Sequence, residues 1–200
     1  MKTKNATLIR SLIAASLFAL GAGAHAQNTA HDVQRDVNQQ QRIENGLQSG
    51  QLNTREAAKL EHEQAGVDKM EARALKDGHL SASEQQRINA AQNRVSQDIY
   101  REKHDANVGN PNSASSKRMQ ADVQRNINQE KRIEQGVKSG EMTNREVARA
   151  ERQESRIDRR EARAGADGHV GAREQRRIQR AENRESKRIH HAKHNDAVRG

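Results

Sequence analysis

Apolar residues are sparse in this chain, but they recur every three or four positions, which is the spacing of one helix face. One such stretch carries Val33, Val37, Ile43 and Leu47, and a later one carries Ile88, Ala91, Val95 and Ile99. Ala, Arg, Glu and Gln, which favour helices, are abundant between them. The pattern predicts helices over about residues 31–47, 54–75 and 82–104, with equivalents 90 residues later. We therefore predict an all-α fold.

The second half of the chain repeats the first at an offset of 90 residues, because 36 of the 75 positions in residues 31–105 have the same residue 90 positions later. Such self-similarity indicates a duplicated module. We predict a helical module 1 over residues 27–105 and a basic helical module 2 over residues 119–200. Residues 106–118 are rich in Asn, Ser and Gly and hold the only proline. They predict a flexible linker between two tandem three-helix modules.

Each predicted helix boundary carries turn and capping residues. Gly50 and Gly140 end the first helix of each copy, because glycine readily takes the left-handed conformation. Pairs spaced for a capping box follow at the next helix starts. These pairs are Asn53 with Glu56, Ser81 with Glu84, and Thr143 with Glu146. Gly171 with Glu174 is a weaker version, since glycine has no side chain to cap with.

The N-terminus has the pattern of a secretory signal peptide. Basic residues precede an apolar run over residues 12–20 that is too short to span a bilayer, and Ala24-His25-Ala26 follows as a cleavage pattern. We predict a signal peptide over residues 1–26, cleavage after Ala26 and a periplasmic protein. No later segment is apolar enough to be transmembrane, and the chain has no cysteine for a disulfide or a lipid anchor.

The two copies differ in charge. Residues 27–116 carry 11 Lys and Arg against 13 Asp and Glu, whereas residues 117–200 carry 22 against 14. Leu, Ile, Val and Phe make up only about 13% of residues 27–200, below the roughly 20% typical of folded domains. We therefore expect marginally stable helices that need a partner or self-association into a homo-oligomer.

The basic surplus falls on two helices, where arginines recur every three or four residues. These candidate anion-binding residues are Arg149, Arg152, Arg156, Arg159, Arg160, Arg163, Arg173, Arg176, Arg177, Arg180, Arg184 and Arg188. Interleaved glutamates such as Glu151, Glu154 and Glu161 offer an alternative, a salt-bridged solvated helix. The net surplus favours acidic or unfolded proteins, or anionic envelope components, as partners. Nucleic acid does not fit an exported chain with almost no aromatic residues for base stacking.

Histidines offer a second candidate chemistry. His190, His191 and His194 lie within one helical turn near the C-terminus. Two imidazoles in that spacing can ligate Cu, Ni or Zn. We therefore keep transition-metal binding as the alternative function. His79 and His169 follow the turn glycine in both copies and are interpreted as solvated turn residues.

Asp77-Gly78-x-Leu80-Ser81-x-x-Glu84 resembles the second half of a calcium-binding EF-hand loop. The first and third loop positions would be Arg73 and Leu75, which supply no carboxylate. A glycine turn followed by a capping box explains every matched residue, so we expect no calcium and no other cofactor apart from the Cu, Ni or Zn of the alternative function.

Catalytic motifs are absent from the sequence. The chain has no cysteine nucleophile, no Gly-x-Ser-x-Gly and no phosphate-binding glycine loop. His62-Glu63 lacks the second histidine of a zinc-protease helix, because Gly66 stands there. We predict that the protein is not an enzyme.

The helix starts carry a family resemblance. Leu52-Asn53-Thr54-Arg55-Glu56 and Leu80-Ser81-Ala82-Ser83-Glu84, with their counterparts at Met142 and Val170, resemble the Leu-Thr-x-x-Gln motif of periplasmic stress proteins of the Spy and CpxP type. Here Glu replaces the Gln. The resemblance implies an all-helical, ATP-independent chaperone or stress sensor that forms dimeric cradles, with zinc binding in some relatives. Together these observations predict a non-enzymatic periplasmic stress or accessory protein with a basic client-binding surface.

Overall fold

The computed structural model of the chain describes residues 20–197, with side chains from residue 27, and that range is all-helical. This confirms the predicted fold class. The helices are α1 (Leu20–Ser49), α2 (Thr54–Ala74), α3 (Ala82–Lys103), α4 (Ala114–Ser139), α5 (Asn144–Gly165) and α6 (Ala172–Lys193). A short 3-10 turn, Leu75–Asp77, extends α2.

The predicted caps form as the sequence indicates. The side chain of Asn53 accepts a hydrogen bond from the backbone N–H of Glu56, which returns one by accepting from the N–H of Asn53, each at 3.0 Å. Ser81 and Thr143 make equivalent boxes. At Gly171 only the return bond exists, from its N–H to Glu174. Gly50 and Gly140 have φ of 77° and 78°, so the left-handed turns are also confirmed.

The two copies pack against each other around a local two-fold axis. Helix α2 runs antiparallel to α5, and α1 runs antiparallel to α4. The symmetry is visible in reciprocal hydrogen bonds. Arg55 donates to the carbonyl of Asp167, and Arg145, its counterpart 90 residues later, donates to the carbonyl of Asp77, both at 3.1 Å.

Small residues let α2 and α5 approach closely at the axis. The hydroxyl of Ser155 donates to the backbone carbonyl of Ala65 at 2.7 Å, and these two positions are themselves 90 residues apart. A Cβ added to Gly165 would lie 2.7 Å from the Cβ of Ala58. The two central helices therefore pack closely, with no room for a larger side chain at Gly165.

Both apolar clusters of the interior contain residues from both copies. One joins Ile43 and Leu60 to Ile157 and Ile178, and the other joins Val33 to Val147 among others. The structure therefore does not separate the chain into two independent modules in its described part. The physical reason is the thin apolar content, which gives neither copy enough side chains to close a core alone.

The linker prediction also needs correction. Helix α4 begins at Ala114, capped by Ser113, so residues 114–118 are helical. Before them, the N–H of Gly109 donates to the carbonyl of Gly50 at 2.8 Å, and Gln120 donates to the carbonyl of Pro111 at 3.0 Å. The connection is therefore shorter than predicted, and it is hydrogen-bonded to the first turn.

Helix α1 begins earlier than predicted and includes residues 20–26, the end of the predicted signal peptide. Residues 1–19 lie outside the described range, so the signal peptide and its cleavage after Ala26 stay predictions. None of the described helices combines the length and apolar character that a membrane span requires.

Candidate functional site

Helix α5 separates its charges onto opposite faces. Glu151, Glu154, Asp158 and Glu161 point inward, and each is at most 2% exposed. The arginines of the same helix point outward. Because acidic positions recur every three or four residues in step with Ile157, they share its buried face.

The basic face consists of the twelve arginines predicted as anion-binding residues on α5 and α6. Eleven of them are exposed and Arg159 is half-buried. Arg188 pairs with Glu185 at 3.1 Å, and the other eleven make no ion pair with any residue in the described range. The glutamates that the salt-bridged alternative required are occupied elsewhere. Four are buried, namely Glu151, Glu154, Glu161 and Glu182, and Glu146 and Glu174 serve in helix caps.

A groove of about 520 Å³ lies between α5 and α6 at one end of the basic face. Arg149 on α5 and Arg188 on α6 both line it, and the apolar residues at its base, Met142, Ala150 and Ile189, are at most 4% exposed. Glu146 and Glu185 line the groove as well, so it carries charges of both signs, and Arg188 is paired with Glu185 inside it.

The same face in the first copy is less basic, although Arg73, Arg87 and Arg94 are kept there. Lys59 stands at the position of Arg149 and pairs with Glu102 at 2.6 Å. Met70 and Asp98 stand at the positions of Arg160 and Arg188. The copies therefore share their backbone arrangement but present different charges to solvent.

The interior holds an unexpected second site. We define the acidic core as the thirteen buried carboxyl groups at most 4% exposed: Asp32, Asp36, Glu61, Asp68, Glu71, Asp122, Glu130, Glu151, Glu154, Asp158, Glu161, Glu182 and Glu185. Over residues 27–197 no Lys, Arg or His side chain is buried. Burying charge without a partner is costly, so this arrangement needs a physical explanation.

Few members of the acidic core have cationic partners. Glu182 pairs with Arg125 at 3.2 Å, Glu185 with Arg188, and Asp32 lies 3.9 Å from His31. The other ten make no ion pair within the described part of the chain. Both carboxylate oxygens of Glu151, and both of Glu154, lack any hydrogen-bond partner among the described residues.

Side-chain amides take the place of cations around several carboxyl groups. Gln40 donates to Glu61 at 3.0 Å, and Asn126 donates to Glu161 at 2.8 Å. In the symmetry-related half, Gln92 donates to Asp36 and Glu71 at 3.0 and 3.1 Å. Asp68 and Asp158, which are 90 residues apart, lie close enough across the axis for each carboxyl group to shift the pKa of the other. The acidic core is therefore continuous through both copies.

Burial raises the pKa values throughout the acidic core. Loss of hydration raises the pKa of Asp32 to about 6 and the pKa values of Asp36, Glu61 and Asp122 to about 7. The pKa of Glu182 rises to about 8 despite its pairing with Arg125. For Glu151 and Glu154 burial also raises the pKa, and neighbouring carboxylates raise it further.

We did not predict the acidic core from the sequence. The glutamates of α5 alternate with arginines at spacings that also fit surface ion pairs, so they were interpreted as partners of the basic face. The available signal was their register, because Glu151, Glu154, Asp158 and Glu161 share one helical face. Glu185, which stands where the first copy has Val95, is also buried, at 1% exposure.

The structure brings two of the three C-terminal histidines together. The rings of His190 and His194 lie 4.2 Å apart, centre to centre, and Nδ1 of His194 lies 2.7 Å from the carbonyl oxygen of His190. His191 lines the α5–α6 groove, and together with His190 it also lines a second cavity beside Arg132. Among the described residues, the groups of three or more side chains whose ligand atoms converge contain only carboxylates.

The EF-hand-like segment forms a closed turn. The side chain of Asp77 accepts a hydrogen bond from the N–H of His79 at 2.9 Å, while Gly78 adopts φ of 95°. Asp167, Gly168 and His169 repeat this geometry. Asp77 is thus engaged in its own turn.

Comparison with known proteins adds no assignment, since no family model, no curated protein and no solved structure matches the chain.

Proposed function

We propose that this is a non-enzymatic periplasmic stress or accessory protein that binds anionic partners, either acidic or unfolded client proteins or anionic envelope components, through its basic face. The observation that supports this proposal best is that eleven of the twelve arginines lack an ion pair in the described residues. The predicted signal peptide and the helix-start motifs support the compartment and the class of protein.

The chemistry of the basic face favours binding over a solvated role. A guanidinium group remains charged at any physiological pH and binds carboxylate or phosphate groups with two parallel hydrogen bonds. Arginines without a competing internal carboxylate are available for such bonds.

Binding of the full-length protein to vesicles containing phosphatidylglycerol tests the proposal. The triple variant Arg163→Gln/Arg177→Gln/Arg184→Gln should weaken binding by about tenfold or more, since each surface cation contributes on the order of 1 kcal/mol near an anionic membrane. The matched control is Arg73→Gln/Arg87→Gln/Arg94→Gln, which removes the same charge at the same repeat positions of the first copy. The control should bind within about threefold of the wild type.

Salt provides a second readout of the same experiment. Binding should fall steeply as NaCl rises from about 0.05 to about 0.5 M, because the Debye length shortens from more than 10 Å to a few ångströms. Equal losses in the two triple variants, or binding that survives high salt, would show that the basic face is only a solvated surface. Intact chains are used because the copies share both apolar clusters.

The client form of the proposal has its own assay. Stoichiometric full-length protein should suppress the aggregation of a reduced, unfolded acidic model protein at low salt, and the triple variant of the second copy should suppress it less. No suppression at low or moderate salt would remove the chaperone form and leave anionic surfaces as the partner.

The alternative, transition-metal binding through His190, His191 and His194, has narrower support. The rings of His190 and His194 lie together, but among the described residues no group of three converging ligand atoms includes a histidine. Titration with Cu, Ni and Zn of the wild type and of a variant with all three histidines changed to Ala tests it. Equal weak binding by both proteins would remove this alternative.

A further inference from the structure

We propose that Glu61, Asp158 and Glu161 form a binding site for a calcium-sized hard cation, with Asn126 as a fourth ligand. The three carboxyl groups come from α2 and α5, and one oxygen of each lies within 4.8 Å of the others. All three are at most 2% exposed. This site is separate from the EF-hand-like turn and from the basic face, so it goes beyond the proposed function.

Asn126 supplies an observation that is independent of the acidic residues. Its side chain is 1% exposed, and its Nδ2 contacts Asp158 at 3.3 Å and Glu161 at 2.8 Å. Its Oδ1 has no hydrogen-bond partner among the described residues. An amide that faces two carboxylates while its own oxygen is unsatisfied has only to turn over to present that oxygen to a cation at the same place.

Further oxygens at the site are also unsatisfied. Oε1 of Glu61 and Oε1 of Glu161 lack partners in the described structure, so three of the four proposed ligand residues offer a free oxygen. Asp122 lies close enough to raise the pKa of both glutamates and adds negative charge beside them. A bound divalent cation would neutralise this charge and satisfy these oxygens together.

The ligand set indicates the class of cation. It contains only carboxylate and amide oxygens, with no nitrogen or sulfur ligand, which suits a hard cation. Three carboxylates and one amide supply four oxygen ligands at one atom per residue, and carboxylates that bind through both oxygens bring the number toward the six to eight that Ca²⁺ accepts in flexible geometry. Mg²⁺ fits less well because it usually keeps several waters and takes one or two carboxylates.

A comparison of the two copies supports a role for side-chain oxygen atoms in the core. Asn126 corresponds to Asp36, Glu130 to Gln40, Glu154 to Gln64, and Glu182 to Gln92. At these positions the copies have changed charge but each retains a carboxyl or carboxamide oxygen. If these positions served only to fill the core, apolar residues there would give a lower desolvation penalty on folding.

Calorimetric titration of chelator-treated, full-length protein with CaCl₂ at about pH 7.5 tests the site. The wild type should bind Ca²⁺, and its thermal midpoint should rise by about 5–10 °C at a calcium concentration about 100 times Kd. Glu61→Gln/Glu161→Gln should lose this binding and the thermal shift. The variant is expected to fold, because each substitution keeps the shape of the side chain and removes a buried charge.

Two controls locate the effect. Glu141→Gln removes a charge from the surface, and Glu151→Gln removes one from the acidic core at the repeat position that corresponds to Glu61. Both should keep Ca²⁺ affinity within about threefold of the wild type.

The absence of a calcium-dependent shift of the thermal midpoint in the wild type, or an equal shift in the double variant, would overturn the proposal. Loss of binding in Glu151→Gln equal to that in Glu61→Gln/Glu161→Gln would overturn the assignment to these residues. Equilibrium dialysis of ⁴⁵Ca against the wild type alone decides the question should the double variant fail to fold.

Discussion

Glu154 and Gln64 occupy the same position in the two copies, and both are 1% exposed. The glutamate has no hydrogen-bond partner in the described structure for either of its carboxylate oxygens, and burial, together with neighbouring carboxylates, raises its pKa well above the ordinary value. The second copy therefore keeps a carboxyl group where an uncharged amide already fits the same backbone. A comparison of Glu and Gln at this position therefore measures how much one buried carboxyl group lowers the stability of the folded protein.

Glu154→Gln should stabilise the protein by about 1–3 kcal/mol at about pH 8 in the presence of a chelator, because it removes an unpaired buried charge. The reverse substitution in the first copy, Gln64→Glu, should destabilise it. Urea unfolding followed by circular dichroism gives both values. Destabilisation by Glu154→Gln would mean that its carboxylate makes an interaction that the amide cannot replace.

At the scale of the helices, spacing and caps in the sequence were enough to predict most boundaries. Helices α2, α3, α5 and α6 begin and end within one residue of the predicted ranges, because capping by Asn53 or Thr143 is a local interaction. Helices α1 and α4 begin earlier than predicted. The packing of α2 on α5 could not be predicted, since separate and associated modules require the same local pattern.

Two helical glycines separate local helix preference from interhelical packing. Gly66 is exposed in α2 and a Cβ there would meet nothing within 4 Å, whereas one on Gly165 would meet Met119 and Ala58. Gly66→Ala should stabilise the protein by about 0.5–1 kcal/mol, and Gly165→Ala should destabilise it by about 1–3 kcal/mol. Denaturant unfolding checks both. Stabilisation by Gly165→Ala would contradict the close approach of α2 and α5.

Across the whole molecule, charge is arranged with acidic groups inside and arginines outside. The arginine spacing predicted the basic face, but the sequence did not distinguish Glu154 as a surface partner from Glu154 as a core residue. Both placements are compatible with a spacing of three or four residues. Tertiary packing decides between them, because the inward face of α5 is set by its contact with α2 in the other copy.

The acidic core determines how stability should depend on pH. Its folded-state pKa values lie above those of the unfolded chain, reaching about 7 for Asp36 and Glu61 and about 8 for Glu182. The folded protein therefore holds more protons than the unfolded chain as pH rises above about 4. Stability from these groups is present below their unfolded pKa values and is lost as pH rises through about 6 to 8.

The thermal midpoint of the full-length protein, measured in chelator at about pH 5.5 and about pH 8, tests the acidic core most directly. We predict a clearly lower midpoint at the higher pH. Glu141→Gln, which changes only a surface carboxylate, should show the same difference as the wild type. A midpoint that is equal or higher at about pH 8 in chelator would contradict an interior built around uncompensated carboxyl groups.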